Sequence, residues 1–128
     1  EDLGANVTLT GGFALQEAGS WQGFIHKNPN EVLYGNNDAE LYFVENNIDG
    51  FMEKLEQSNY PIEYLNKCIE HDWGQRVIRI YDLDKHVIEI GESMEYVARR
   101  FLKAGMTVEQ VAKKTQLPFS QVEAIERP

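Results

Sequence analysis

The sequence predicts an α+β protein, and three observations support that prediction. Residues 6–17 and 77–90 each alternate apolar and polar side chains on both sides of a short turn, which is the pattern of a β-hairpin. Between the hairpins, residues 48–55 repeat apolar side chains at the spacing of an amphipathic helix. After residue 92 the pattern is helical throughout. Strands and helices that are segregated along the chain in this way are typical of α+β folds.

The complete strand-and-helix pattern lies in residues 40–92. An alternating strand at 40–45 is followed by Asn47, which can cap the helix, and then by a second strand at 62–70. The closing hairpin supplies two more strands, at 77–81 and 86–90. The predicted order is therefore β-α-β-β-β.

Residues 1–17 repeat the end of this module. Strands at 6–10 and 13–17 flank a turn at Gly11-Gly12, and residues 13–17 align with 86–90 of the closing hairpin. In that alignment Gln16 is the partner of Glu89. Residues 18–39 contain Gly, Asn and Pro with little periodicity, so we interpret them as the connection between a partial first module and a complete second one.

The last segment, residues 93–128, is predicted to be a helical tail. Ser93 can cap a helix over residues 94–103, which Gly105 would end. Capping boxes that begin at Thr107 and Ser120 predict two further short helices. The tail follows a complete module, so we interpret it as an addition to the domain at residues 1–92.

Charge and composition exclude several classes of protein. The chain has 128 residues and a net charge of −9, and because the tail is slightly positive, residues 1–93 are strongly acidic. Such a surface repels nucleic acid and membranes. The chain shows no membrane-spanning apolar run and no basic-then-apolar leader, and its one cysteine, Cys68, cannot form an internal disulfide. We therefore expect a cytoplasmic protein.

The closing hairpin carries a family resemblance. Trp-Gly-Gln-Arg at 73–76, Tyr-Asp-x-Asp-x-His at 81–86 and Ile-Glu-Ile-Gly at 88–91 resemble the corresponding hairpin of the glyoxalase / bleomycin resistance / extradiol dioxygenase superfamily, also called vicinal oxygen chelate proteins. That family usually has Asp-Pro-Asp-Gly where this chain has Asp-Leu-Asp-Lys. The resemblance implies paired βαβββ modules that form a cupped mixed sheet.

The same resemblance implies a missing part and a partner. The first module lacks its opening strand and helix, about 25 residues at ordinary element lengths. We therefore expect a truncated chain, a cleaved protein, or a fold in which another subunit supplies the missing cover. A homodimer is also implied, because this fold commonly completes its cups by pairing.

Members of the resembled superfamily hold a divalent metal in the cup, with ligands from the first and last strands of each module. Carried over to this chain, those positions are Gln16, Glu40 and Glu89. Three oxygen ligands without an imidazole suit Mg²⁺ or Mn²⁺ better than Zn²⁺, with Ni²⁺ as a further candidate and a metal-free cup as the alternative. The carboxylates of Glu40 and Glu89 could instead be solvated or paired with Arg79, which lies on the same side of the sheet.

The leading function implied by the resemblance is a glyoxalase-like lyase or isomerase, in which Glu89 or Glu40 is the base or a metal ligand. The alternative is a non-catalytic protein of the bleomycin-resistance type that binds a small molecule or drug. The candidate ligand-binding side chains are Gln16, Tyr42, Trp73, Arg79 and Tyr81. Core or interface packing would explain the three aromatic residues equally well.

The tail offers a third function. Residues 110–125 resemble a helix-turn-helix, which would make the protein a DNA-associated regulator. Gln116 stands where the turn usually has glycine, however, and Glu123 and Glu126 in the second helix would repel phosphates. We therefore favour a tail that braces the sheet or a dimer, and we do not expect a nucleic-acid partner.

Overall fold

The computed structural model describes residues 4–10, 13–37 and 39–126. Its mixture of strands and helices confirms the predicted α+β class. The chain divides into two compact units, residues 1–34 and residues 35–128. The predicted turn at Gly11-Gly12 lies outside the described residues.

The first unit contains the predicted hairpin and one helix that was not predicted. Strands β1 (Asn6–Thr8) and β2 (Ala14–Gln16) pair antiparallel. Helix α1 (Ala18–Phe24) follows at once, and a short 3-10 turn lies at Pro29–Glu31. The side chain of Glu17 caps α1 by accepting hydrogen bonds from two backbone N–H groups of its first turn. The helix gave little sequence signal, because glutamate is not among the preferred N-cap residues.

The second unit is built on a four-stranded mixed sheet. Its strands are β3 (Glu40–Val44), β4 (Glu63–Glu70), β5 (Arg76–Tyr81) and β6 (Val87–Gly91), in the spatial order β3-β6-β5-β4. The β3–β6 pair is parallel and the other two pairs are antiparallel. Helix α2 (Ile48–Glu56) connects β3 to β4, which confirms the predicted β-α-β-β-β order.

The hydrophobic core of this unit lies between α2 and one face of the sheet. Ile48 of α2 packs there with Ile78 of β5 and Ile90 of β6. Because side chains alternate along a strand, Arg79 and Glu89 then lie on the opposite face. Asn47 caps α2 as predicted, accepting a hydrogen bond from the N–H of Gly50 at 3.1 Å.

The tail forms a three-helix cluster with its own core, in α3 (Met94–Lys103), α4 (Val108–Thr115) and α5 (Phe119–Glu126). The predicted capping box at Thr107 is present, but α5 begins before the box predicted at Ser120, directly after Pro118. The carbonyl of Pro118 accepts hydrogen bonds from the N–H groups of Gln121 and Val122, so the first turn of α5 is closed on Pro118 and not on Ser120. The buried residues of this core are Ala98, Val111, Val122 and Ile125.

The tail is attached to the turn between β4 and β5. A Cβ atom on Gly74 would lie 2.3 Å from the ring of Phe101, so only glycine allows this approach. Arg100 donates a hydrogen bond to the carbonyl of Gly74, and Nζ of Lys114 donates to the carbonyl of Asp72 at 3.0 Å. These contacts support the interpretation of the tail as a brace for the sheet.

In the ranges that the structure describes, no helix is long and apolar enough to cross a lipid bilayer.

Candidate functional site

Arg79 connects the two carboxylates singled out in the sequence. Its Nε lies 3.2 Å from Oε2 of Glu40, and its NH2 group donates to Oε2 of Glu89. The fold brings these residues together because Arg79 is directly opposite Glu89 in the β5–β6 pair and Glu40 is on β3, the other neighbour of β6. Glu89 is only 7% exposed, so its charge requires such a partner. We call these three residues the Arg79 cluster.

A cavity of about 380 Å³ opens at the Arg79 cluster. The hydroxyl of Tyr81 donates a hydrogen bond to the side-chain oxygen of Asn37 at 2.6 Å, which fixes one wall. The size and the mixture of charged and apolar walls suit a small organic molecule. The lining residues are Asn37, Ala39, Glu40, Leu65, Arg79 and Val87.

The arrangement does not fit a divalent metal. The guanidinium of Arg79 already takes an oxygen from each carboxylate, and a cation at that point would repel a second one. Gln16 lies in the first unit, where its side chain is hydrogen-bonded to Asn6, Ser20 and the carbonyl of Ala5. The described ranges contain no group of three or more His, Cys, Asp or Glu side chains that could hold a metal ion.

Tyr42 and Trp73, two of the predicted ligand-binding aromatics, are connected through Gln75. The amide nitrogen of Gln75 donates to the hydroxyl of Tyr42 at 3.2 Å, and the indole N–H of Trp73 donates to the amide oxygen at 3.0 Å. The indole also stacks on His71, with ring centroids 4.3 Å apart. Trp73 does not line the cavity at the Arg79 cluster; it lines a second one.

The second cavity, of about 670 Å³, lies between the β4–β5 turn and α4. We call it the turn–α4 groove. Sequence reasoning missed it, because its walls come from two segments more than 30 positions apart that meet only in the folded chain. Its lining residues are Asp72, Trp73, Met106, Gln110, Lys113, Lys114 and Gln116.

Cys68 does not contribute to either cavity. It packs against the core beneath α2, and burial raises the pKa of its thiol. A raised pKa lowers the thiolate fraction at neutral pH, which disfavours a nucleophilic role.

Comparisons with known proteins identify the family. Residues 1–95 match the glyoxalase-like domain family. A protein of unknown function from Agrobacterium tumefaciens str. C58 has a similar crystal structure, with a TM-score of 0.62 and 34% identity, covering 73% of this chain and 71% of the other. Hypothetical protein SA1046 from S. aureus shares the fold, with a TM-score of 0.51 and 14% identity over 69% of this chain and 67% of its own.

None of the curated proteins is significantly similar to the chain. The family match covers most of the chain and includes the complete module that carries the Arg79 cluster. The predicted resemblance is thereby confirmed, and the chain belongs to the glyoxalase-like domain family of the vicinal oxygen chelate superfamily.

Proposed function

We propose that the protein binds a small organic molecule at the Arg79 cluster and that it does so without a bound metal ion. The observation that carries this proposal is the guanidinium of Arg79, hydrogen-bonded to both Glu40 and Glu89. A fixed protein cation thus neutralises part of the negative charge that a metal would otherwise balance. Ligand recognition then depends on the cluster and on the cavity walls.

Charge and exposure favour a cationic ligand. Glu40 and Glu89 together with Arg79 carry a net charge of −1, within a chain of net charge −9. The side chain of Glu40 is 44% exposed, and its Oε2 is the oxygen that bonds Arg79. Its Oε1 can therefore accept a hydrogen bond from a ligand. Tyr42 lies on the same strand face and is 47% exposed, so it offers an aromatic surface on which a cation can lie.

A lyase or isomerase reaction that uses Glu89 as its base has less support than binding. A general base must reach the substrate proton within hydrogen-bond distance and have a lone pair free to accept it. Glu89 is buried and is held by Arg79. Glu40 is accessible, but it shares the same guanidinium.

Three probes with one ring system and different charges test the proposal. We would titrate 2-naphthamidine, 2-naphthamide and 2-naphthoate into the isotopically labelled protein and follow the backbone amide signals by NMR. The cationic amidine is expected to shift signals near Glu40, Arg79 and Val87 saturably, with a Kd of about 1 mM or lower. The neutral amide should bind there more weakly.

A matched pair of variants identifies the ligand-binding carboxylate. Glu40→Gln keeps the side-chain size and removes the charge, so it is expected to weaken amidine binding about tenfold. Glu53→Gln on the exposed side of α2 removes the same charge elsewhere and should have no effect. Equal weakening in both variants would contradict a specific site.

Elemental analysis tests the metal-free part of the proposal. Protein purified without chelator or metal-affinity resin is expected to contain less than about 0.1 equivalent of any divalent ion. One equivalent of metal that disappears in a Glu89→Ala variant would overturn it. The expected homodimer and cytoplasmic location stay predictions of the sequence.

A further inference from the structure

The turn–α4 groove shares no lining residue with the cavity at the Arg79 cluster. We propose that this groove is a second binding site and that its ligand is a planar organic anion, an aromatic carboxylate being the simplest example. Four features of the groove support this assignment: its volume, its fixed walls, its lysines without ion pairs and its aromatic lining residue Trp73.

The walls of the groove are held in place before any ligand arrives. Nζ of Lys114 bonds the carbonyl of Asp72, and Arg100 bonds the carbonyl of Gly74. Gly74 has a φ of +88° and lies directly against the ring of Phe101. The turn is therefore fixed to the tail helices at three points, and a fixed groove of about 670 Å³ lowers the entropic cost of binding.

Neither lysine of the groove forms an ion pair with a carboxylate of the described residues. Lys113 is exposed, and its side chain forms no ion pair or hydrogen bond with any residue that the structure describes. Nζ of Lys114 bonds a neutral carbonyl and lies 5.3 Å from the ring centroid of Phe101, so neither of these partners is a carboxylate. With Asp72 as the acidic residue of the lining, the groove has a net charge of +1 in an otherwise acidic protein. An anion is the ligand that this local charge favours.

The rest of the lining favours a planar ring. The indole of Trp73 is held by its hydrogen bond to Gln75 and by stacking on His71. Met106, which also lines the groove, adds a polarisable apolar surface. The side-chain oxygen of Gln110 accepts from the N–H of Thr107 at 2.8 Å, so its amide nitrogen is the end that can donate to a carboxylate.

The experiment follows 2-naphthoate by NMR in a Trp21→Phe variant, in which Trp73 is the one remaining tryptophan. The indole N–H signal of Trp73 and the backbone amides of residues 106–116 are expected to shift saturably, with a Kd of about 1 mM or lower. The anion 2-naphthoate should bind at least about fivefold more tightly than the neutral 2-naphthamide.

Charge reversal separates a built site from general attraction. Lys113→Glu is expected to weaken naphthoate binding at least about tenfold. Lys103→Glu, on an exposed position of α3 that does not line the groove, is the matched control and should leave binding unchanged. Both positions are exposed, so both variants should keep the spectrum of the folded protein.

Three results would overturn the proposal: no saturable shift at Trp73 up to about 10 mM naphthoate, equal weakening by the two charge reversals, or shifts confined to the Arg79 cluster. The result is independent of the proposed function, because Glu40→Gln should leave naphthoate binding in the groove intact. If the Glu40→Gln variant loses amidine binding and retains naphthoate binding, the two ligands bind at separate sites.

Discussion

The carboxylate of Glu92 is fully buried, and Oε1 lies 2.9 Å from Nε and 2.8 Å from NH2 of Arg76. Its second oxygen accepts from the backbone N–H of Arg76 at 3.0 Å and from Arg100 at 3.2 Å. The hydrogen bond to Glu92 is also the main cause of a raised pKa at Arg76. One buried carboxylate therefore connects β5, the end of β6 and helix α3 of the tail.

We predict that Glu92→Gln destabilises the protein by about 3 kcal/mol, because the substitution leaves two partly buried arginines without their shared counter-ion. The free energy of unfolding from urea titration measures the effect. Glu95→Gln removes an exposed carboxylate that pairs with Arg99 on the same helix, and it should cost less than about 0.5 kcal/mol. Similar losses in both variants would contradict a special role for Glu92.

A second prediction concerns pH and the turn between β5 and β6. Burial raises the pKa of Asp82, but hydrogen bonds from the backbone and imidazole of His86 and from the N–H of Asp84 outweigh it and hold the pKa below its usual value. The folded state therefore binds fewer protons than the unfolded state, and the stabilisation by Asp82 is lost as pH falls through the folded pKa.

The measurement is the difference in unfolding free energy between the wild type and Asp82→Asn as a function of pH. The difference should shrink as the pH falls below about 4, near the ordinary pKa of aspartate. Asp84→Asn changes a neighbouring exposed carboxylate and should show no such dependence. A difference that grows as pH falls would contradict the assignment.

Most of the fold was predictable because hydrophobic periodicity and capping residues are local signals. The βαβββ module, its Asn47 cap and helix α3 follow from the residues within each element. Helix α1 was not predicted, because its cap is a glutamate and it contains two glycines. Helix α4 ends at Gln116, which has the left-handed conformation with a φ of +61°. A glycine at this position would have predicted the helix end more clearly.

The candidate site was predictable only in part. Strand alternation placed Glu89 and Arg79 on one face, but whether Arg79 or a metal would bind the carboxylates depends on side-chain geometry that no spacing rule supplies. The turn–α4 groove was beyond sequence reasoning, since it depends on the tail packing against the β4–β5 turn. Gly74 was the one weak indication in the sequence, because a glycine often marks a place where another group comes close to the backbone. In the structure that group is the ring of Phe101.

The last prediction tests whether Arg79 takes the place of a metal. Arg79→Met removes the cation and leaves the buried charge of Glu89 unpaired, which should destabilise the protein by about 3 kcal/mol. With Arg79 gone, Glu40 and Glu89 can both bind a divalent cation. Mn²⁺ at about 100 times its Kd should then restore about 2.7 kcal/mol, seen as a rise in Tm.

The wild-type Tm should not respond to Mn²⁺, because the guanidinium holds both carboxylates. The double variant Arg79→Met with Glu40→Gln should be unstable and should also fail to respond, since one carboxylate alone binds Mn²⁺ weakly. A rise in the wild-type Tm would show that Arg79 leaves the carboxylates open to metal. An unresponsive single variant would show that the two carboxylates cannot converge on one ion, and Arg79 would then be a structural counter-ion rather than a substitute for a metal.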